Sequence, residues 1–166
     1  MRHHEYTVDL PHSAPRLWAL FQSYNLWKEY APAVLEVEIV YPGDGQGNGL
    51  VRKVIYPLPF GRRGESFELV KNVRPNRGYD YVMLRGGLSG SVSLESIGAN
   101  RTRLRFRESF HLDHPILRWF EAPIYRFINK KNEESMRGAA AWLATHPDFR
   151  ADLIEPEAQE IRTTGP

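Results

Sequence analysis

The sequence predicts an α+β domain: seven antiparallel strands in a curved sheet around one long C-terminal helix, with two short helices after the first strand. Three observations predict it. Apolar and polar residues alternate with period two in successive segments between His4 and Leu112. Gly-, Pro- and Asn-rich turn signals separate these segments at intervals of about eight to twelve residues, as in an antiparallel meander. From Pro115 the apolar period lengthens to that of a helix.

HEYTVDL places Tyr6, Val8 and Leu10 on one face and Glu5, Thr7 and Asp9 on the other, a half-buried strand that Pro11 ends. Ser13 is a candidate N-cap with Pro15 in the first turn, and Leu17, Trp18, Leu20 and Phe21 form an apolar helical face. The sequence SYN breaks this helix. Leu26 to Tyr30 makes about one further turn, closed by Pro32. VLEVEIVY alternates Leu35, Val37, Ile39 and Tyr41 against Glu36 and Glu38. The remaining strands are LVRKVIYP, ESFELVKNV, YDYVMLR, SVSLESI and RTRLRFRESFHL. Between them lie the turns LPFGRRG, RPNRG, GGLSG and GAN. ILRWFEAPIYRFINKKNEESMRGAAAWLATH then reads as helix, with a break or kink expected near Ala122 because Pro123 follows. An antiparallel sheet with one apolar face needs a cover, and this helix is the element large enough to supply it.

The chain has 166 residues, which suits one domain able to bury roughly 70% of its unfolded surface. The absence of cysteine excludes disulfides and thiolate chemistry and is compatible with a reducing compartment. MRHHEYTVDLPHS lacks the apolar stretch of a secretory signal, and no run of about 18 apolar residues occurs. A cytoplasmic protein without a membrane span is therefore expected. The net charge of +2, from 22 basic and 20 acidic residues, gives no reason to expect nucleic acid as a partner. Aromatic residues, 12% of the chain, suggest a core or pocket built from large rings.

Several local patterns together resemble the START-like superfamily, which includes polyketide cyclases and dehydrases, lipid-transfer proteins and the birch-pollen allergen group. Ser13-Ala14-Pro15 with Leu17-Trp18 resembles the start of the family's first helix, and Leu26-Trp27 with Pro32 its second. Gly49 and Arg52 resemble a glycine followed by an arginine on the third strand. Glu68, Pro75 and Tyr81 match the spacing of a Glu, a turn Pro and a strand Tyr in polyketide-cyclase-like members. Thr102 to Phe106 resembles the Thr-x-x-x-Trp of the last strand, with Phe in place of Trp. The resemblance spans about residues 3 to 146. It implies a helix-grip fold over residues 1–146, followed by a polar tail at 147–166. It also implies an internal cavity for a lipid, polyketide or other small hydrophobic or aromatic ligand. Some members of the superfamily are enzymes; others bind or carry.

Glu108 is the most telling candidate. It shares a strand face with Thr102, Leu104, Phe106 and Phe110, so it points inward among rings. A carboxyl there is a general acid/base, one member of a structural ion pair, or a glutamate at the open rim. Arg52 lies on the face of Leu50, Val54 and Tyr56, while Val51, Lys53 and Ile55 hold the other face. Each face carries one cation, so periodicity leaves the choice open. Glu68 could meet Arg52 from the neighbouring strand, either as a buried pair that orients a ligand or as an outer-face salt bridge. The flanking Phe67 and Leu69 nevertheless turn Glu68 outward unless a bulge intervenes. Glu108, Arg52 and Glu68 are therefore the catalytic candidates. Tyr56, Tyr81, Leu104, Phe106, Tyr125 and Asn129 are the ligand-lining ones, and each could equally be core. Trp18 and Trp27 read as core.

PGDGQGNG lacks the Lys-Ser or Lys-Thr of a phosphate loop and runs strand to strand, so it reads as a hairpin. His111 and His114 at a strand end lack companion ligands, so no metal or other cofactor is expected. Arg101, Arg103, Arg105 and Arg107 share the face opposite Glu108. They are either a docking stripe for an acidic partner, RNA or anionic lipid heads, or a solvated face paired with acids such as Glu95. Three functions follow: binding or transport of a small hydrophobic ligand, an enzyme of the polyketide cyclase/dehydrase type, or an interaction module using the arginine face. A monomer or a homodimer is compatible with each.

Overall fold

The computed structural model describes residues 2–58, 61–111 and 121–149. Strand β1 (Arg2–Leu10) leads into α1 (Ala14–Gln22), a 3-10 turn (Tyr24–Leu26) and α2 (Trp27–Tyr30). Six strands follow: β2 (Glu36–Tyr41), β3 (Val51–Pro57), β4 (Arg63–Arg74), β5 (Gly78–Met83), β6 (Leu88–Gly98) and β7 (Arg101–Phe110). Helix α3 (Glu121–Thr145) comes last. The strands form one antiparallel sheet in the order β1-β7-β6-β5-β4-β3-β2, with β1 and β2 at its edges. The sheet curves around α3.

The inner face is apolar for the reason that the alternation gives. Val54 of β3, Val70 of β4, Tyr79 and Tyr81 of β5, Val92 and Leu94 of β6 and Leu104, Phe106 and Phe110 of β7 are all buried. Leu17, Leu20 and Phe21 of α1 close one end of this core, and Tyr125, Ala139 and Leu143 of α3 cover it. Trp18 and Trp27 pack against the same cluster.

Polar contacts fix α3 along its length. The Ser135 hydroxyl donates to the Lys131 carbonyl and accepts from the Ala33 amide. Gly138 lets the Tyr30 carbonyl of α2 come so close that a Cβ would lie 2.0 Å from its oxygen. Near the C-terminal end, His12 Nε2 donates to the Ala140 carbonyl, and the Thr102 hydroxyl holds the His12 carbonyl. Arg16 Nη2 donates to the carbonyls of Leu143, His146 and Pro147. The Leu143 carbonyl is among those that a helix C-terminus leaves without intrahelical partners, and the other two belong to the residues just after the helix.

The structure corrects several local expectations. Ser13 occupies the N-cap of α1, but its side chain makes no capping bond; its carbonyl accepts from Leu17 instead. A register shift between Ile39 and Tyr41 turns Tyr41 outward, where it is 58% exposed, so it does not share the inner face with Val37 and Ile39. Leu88, Ser89 and Gly90, expected in a turn, are the first residues of β6; the turn is confined to the residues before them. Pro123 falls in the first turn of α3 as described, while the approach from Pro115 to Phe120 lies outside the described residues. Residues 150–166 of the expected tail also lie outside the described residues. Phe149, by contrast, packs edge-on against Trp142.

The seat of α2 on α3 yields a stability prediction. Gly138→Ala is expected to destabilise the protein by about 1–3 kcal/mol through overpacking against Tyr30. This is despite a gain in helix propensity of about 1 kcal/mol. Chemical denaturation checks the sign; an alanine variant as stable as its parent would mean that α2 does not depend on this close approach.

Candidate functional site

Two polar groups stand on the inner face, and the strand registers place both. On β3 the inward positions are Arg52 and Val54, in line with Leu50 just before the strand, so the choice that periodicity left open falls to the Arg52 face. On β4 the inward positions are Ser66, Glu68 and Val70, while Phe67 faces out and is 39% exposed. The expectation that Glu68 faces outward is therefore wrong, and no bulge is needed to turn it in. The β3–β4 register runs unbroken and sets Arg52 directly opposite Glu68.

Arg52 is 2% exposed. Its Nε and Nη2 both donate to Glu68 Oε2, at 2.9 and 2.8 Å. Four rings surround the guanidinium: Trp27 at 4.4 Å from ring centre to Cζ, Tyr24 at 5.4 Å, Tyr79 at 5.5 Å and Tyr81 at 5.9 Å. Burial acts to lower the Arg52 pKa, but Tyr79, Glu68 and Tyr24 outweigh it and hold the group above the ordinary guanidinium value. The remaining nitrogen, Nη1, is buried and has no hydrogen-bond partner among the described residues.

The second group is centred on Glu108, which is 4% exposed. Tyr81 Oη donates to Glu108 Oε1 at 2.7 Å. Asn132 Nδ2 approaches both carboxyl oxygens at 3.4 Å from α3. Tyr125 Oη donates to the Glu108 backbone carbonyl at 3.1 Å and stacks on Phe110. His4, the β1 residue paired with Glu108, lies edge-on to Phe106 and Tyr125, with its Nε2 3.5 Å from Glu133. Burial pushes the Glu108 carboxyl up to about 7, with the Glu68 charge adding to the rise and the bonds from Tyr81 and Asn132 opposing it. Burial, and then the Glu108 charge, also raise the Tyr81 hydroxyl well above its ordinary value.

The structure thus brings Arg52 to Glu68 and Tyr81 to Glu108, with Tyr81 also in the ring set around Arg52. Leu104 and Phe106 lie in the fully packed core. The ring of Tyr56 lies over Gly64, its partner on β4, and is half-buried. Asn129 leaves its Oδ1 buried and without a hydrogen bond to the described residues. Its neighbour Asn132 makes the Glu108 contact instead. Sequence reasoning passed over Asn132, although it stands two turns after Tyr125 on the same helical stripe. It also passed over Tyr24 and Tyr79, and read Trp27 only as core.

The outer face answers the question of the arginine stripe. Arg103 and Arg101 bind Asp9 at 2.8 and 3.2 Å, and Arg107 and Arg105 lie 3.2 and 3.7 Å from Glu5. The carboxylates that pair the stripe come from β1 rather than from Glu95, which stands opposite Arg103 on β6. The bond from Arg103 is the largest influence holding the Asp9 carboxyl below its usual range. The glycine-rich segment between β2 and β3 is a turn organised by Asp44, whose Oδ1 accepts from the Gln46 and Asn48 amides.

Residues 1–146 match the family model for polyketide cyclase/dehydrase and lipid transport proteins. The chain belongs to that family. Solved structures agree on the fold. The Zhui aromatase/cyclase from Streptomyces sp. R1128 is 16% identical, covers 88% of this chain and 95% of its own, and superposes with a TM-score of 0.77. A START superfamily protein from Mycobacterium smegmatis is 13% identical, with coverage of 82% and 92% and a TM-score of 0.67. Ara h 8.0201 is 18% identical, with coverage of 87% and 98% and a TM-score of 0.67. No curated protein matches the chain in sequence. The architecture is the helix-grip fold of the START-like proteins. No helix among the described residues is long and apolar enough to cross a membrane.

The environment of Glu108 gives a pH prediction. Its folded-state pKa is raised from 4.5 to about 7, so the folded state holds the proton more tightly than the unfolded state. Stability from this group is fully present below about 4.5 and is lost as pH rises through about 7. The rise corresponds to a loss on the order of 3 kcal/mol. Glu108→Gln removes this dependence. Urea melts are expected to show the variant gaining on its parent as pH increases across that window. A stability difference that stays constant with pH would refute the assignment.

Proposed function

We propose that the protein is an acid–base enzyme acting on a small, largely apolar carbonyl compound, of the kind that polyketide cyclases and dehydrases use. The observation that carries this is the convergence of a titratable carboxyl and a buried guanidinium on one aromatic wall. A passive apolar container needs neither group, since hydrophobic residues in place of a buried ion pair are commonly no less stable. A site for chemistry is recognised by convergent polar groups in apolar surroundings.

In this reading the ligand lies between the inner face and α3. Arg52 Nη1 donates to its carbonyl oxygen and stabilises the enolate that forms there. Glu108, with a pKa of about 7, is present both as base and as acid near neutral pH. As carboxylate it takes the proton from the carbon beside the carbonyl. The electron pair moves into the enolate. As carboxylic acid it returns that proton to a departing hydroxyl, which leaves as water. In a cyclisation the enolate carbon would instead attack a second carbonyl carbon of the same molecule, whose C=O π electrons move to oxygen, and that oxygen takes the proton back from Glu108. Glu68 keeps Arg52 oriented, and Tyr81 orients Glu108.

Binding without chemistry is the second reading, favoured by the apolar majority of the wall and by the lipid-transport branch of the family. The arginine face supports docking less, because β1 already pairs its charges. One experiment separates the first two. An aryl β-hydroxyketone is followed by absorbance as it dehydrates, with its binding measured by ligand-observed NMR in parallel. Glu108→Gln is expected to slow turnover by about a hundredfold or more while binding persists. Binding with no turnover in the parent protein would leave the carrier reading standing. Neither binding nor turnover would count against both for this ligand class.

A further inference from the structure

Tyr81 and Glu108 are not neighbours in the sheet. Tyr81 on β5 pairs with Gly90 on β6, and Gly90 pairs with Glu108 on β7. The hydrogen bond of 2.7 Å between them therefore spans an intervening strand. Two strand spacings amount to about 9.5 Å between backbones, a gap the two side chains can close only by lying flat across β6. Position 90 faces the same side of the sheet, so any side chain there stands in the way. A Cβ built on Gly90 would lie 2.5 Å from both Tyr81 Cζ and Tyr81 Oη. Its three nearest neighbours are all atoms of Tyr81.

We propose that Gly90 is a positioning residue: its missing side chain is the passage through which Tyr81 crosses β6 to hold the Glu108 carboxyl. The backbone conformation gives no other reason for glycine at this position, since Gly90 lacks the positive φ seen at Gly86 and Gly87. The same device recurs on the inner face, where the ring of Tyr56 lies over its cross-strand partner Gly64, 2.4 Å from where a Cβ would stand. At Gly90 the ring ends on the carboxyl, so the glycine acts on that group through Tyr81. This deepens the acid–base reading of Glu108, because a base needs one fixed orientation as well as the right affinity for its proton.

The consequence is a titration. Tyr81 donates to the carboxylate form, so the bond opposes the upward push of burial on Glu108. Among the described residues, the other groups around the carboxyl are His4 on β1, Glu68 on β4 and Tyr125, Asn132 and Glu133 on α3, with Arg52 beyond Glu68 on β3 and Arg2 of β1 beyond Tyr125. None of these is altered by the test. In glutamate-labelled protein followed by carboxyl-carbon NMR, Gly90→Ala is expected to raise the Glu108 midpoint by roughly one to two pH units. That is the shift equivalent to losing a hydrogen bond to a charged group. Tyr81→Phe is expected to raise it equally, and the two changes together should go no further. An unchanged midpoint in either single variant would overturn the proposal. If Gly90→Ala does not fold, Gly90→Ala with Tyr81→Leu should, because the ring that the methyl meets is gone. Failure of that double variant would overturn the proposal too, since glycine would then serve something besides Tyr81. The readout is independent of turnover, so it stands or falls separately from the enzymatic reading.

Discussion

Arg52 has given up its water, and the rest of the inner wall is arranged around that fact. An unpaired guanidinium at this depth would cost several kcal/mol. Glu68 faces it across the β3–β4 ladder, and four aromatic rings take the place of solvent. This arrangement constrains the register strongly. A slip by one residue would expose Arg52 and bury Lys53, whose partner Glu65 is surface-exposed. A buried pair of this kind adds little net stability compared with apolar residues of the same size. What it provides is a fixed cation with one donor left over, on a wall made mostly of apolar and aromatic side chains.

The second constraint is one of space. Glycine in a strand or a helix interior normally weakens it. Here three such glycines each admit a neighbour that a methyl group would exclude: Gly64 admits the ring of Tyr56, Gly90 that of Tyr81, and Gly138 the carbonyl of Tyr30. Each gives up local propensity for a close approach. The first two belong to the inner face of the sheet, and the third seats the short helix whose Trp27 covers Arg52. Packing and site are therefore built from the same backbone positions.

The fold was legible in the sequence because its main signals are periodic. Seven alternating segments, a change to helical period and turn residues in between leave few topologies open, and β7 alone placed Glu108 inward. The middle strands were harder for a physical reason. The outer face of β2 to β5 carries its own apolar row, Tyr41, Val51, Leu69 and Val82, paired in register across the four strands. Apolar residues therefore occur on both faces there, and alternation cannot tell inside from outside. Phe67 and Leu69 look like core and are not, so alternation by itself turns Glu68 outward. Asn132 carried a readable signal in its spacing from Tyr125. Gly90 carried none, because the space left by a missing side chain has meaning only once the register is known.

The two buried groups differ in kind, and the difference follows from their partners. Arg52 is charged throughout the ordinary pH range, because Glu68 stands beside it and its own proton is held tightly. Among the described residues, the donors to the Glu108 carboxyl are the neutral groups of Tyr81 and Asn132, so burial moves its pKa into the range where proton transfer is easy in both directions. The Glu68 charge pushes in the same direction. The ion pair on β3 and β4 therefore does more than hold an arginine still: its acidic member helps set the proton affinity of the carboxyl three strands away. Ordering the strands β4, β5, β6, β7 places Tyr81 and Gly90 between the fixed charge and the variable one, with the Tyr81 ring beside Arg52 and its hydroxyl on Glu108. An inner face with one permanent donor and one adjustable proton, separated by a tyrosine that touches each, is an arrangement suited to moving protons on a bound carbonyl.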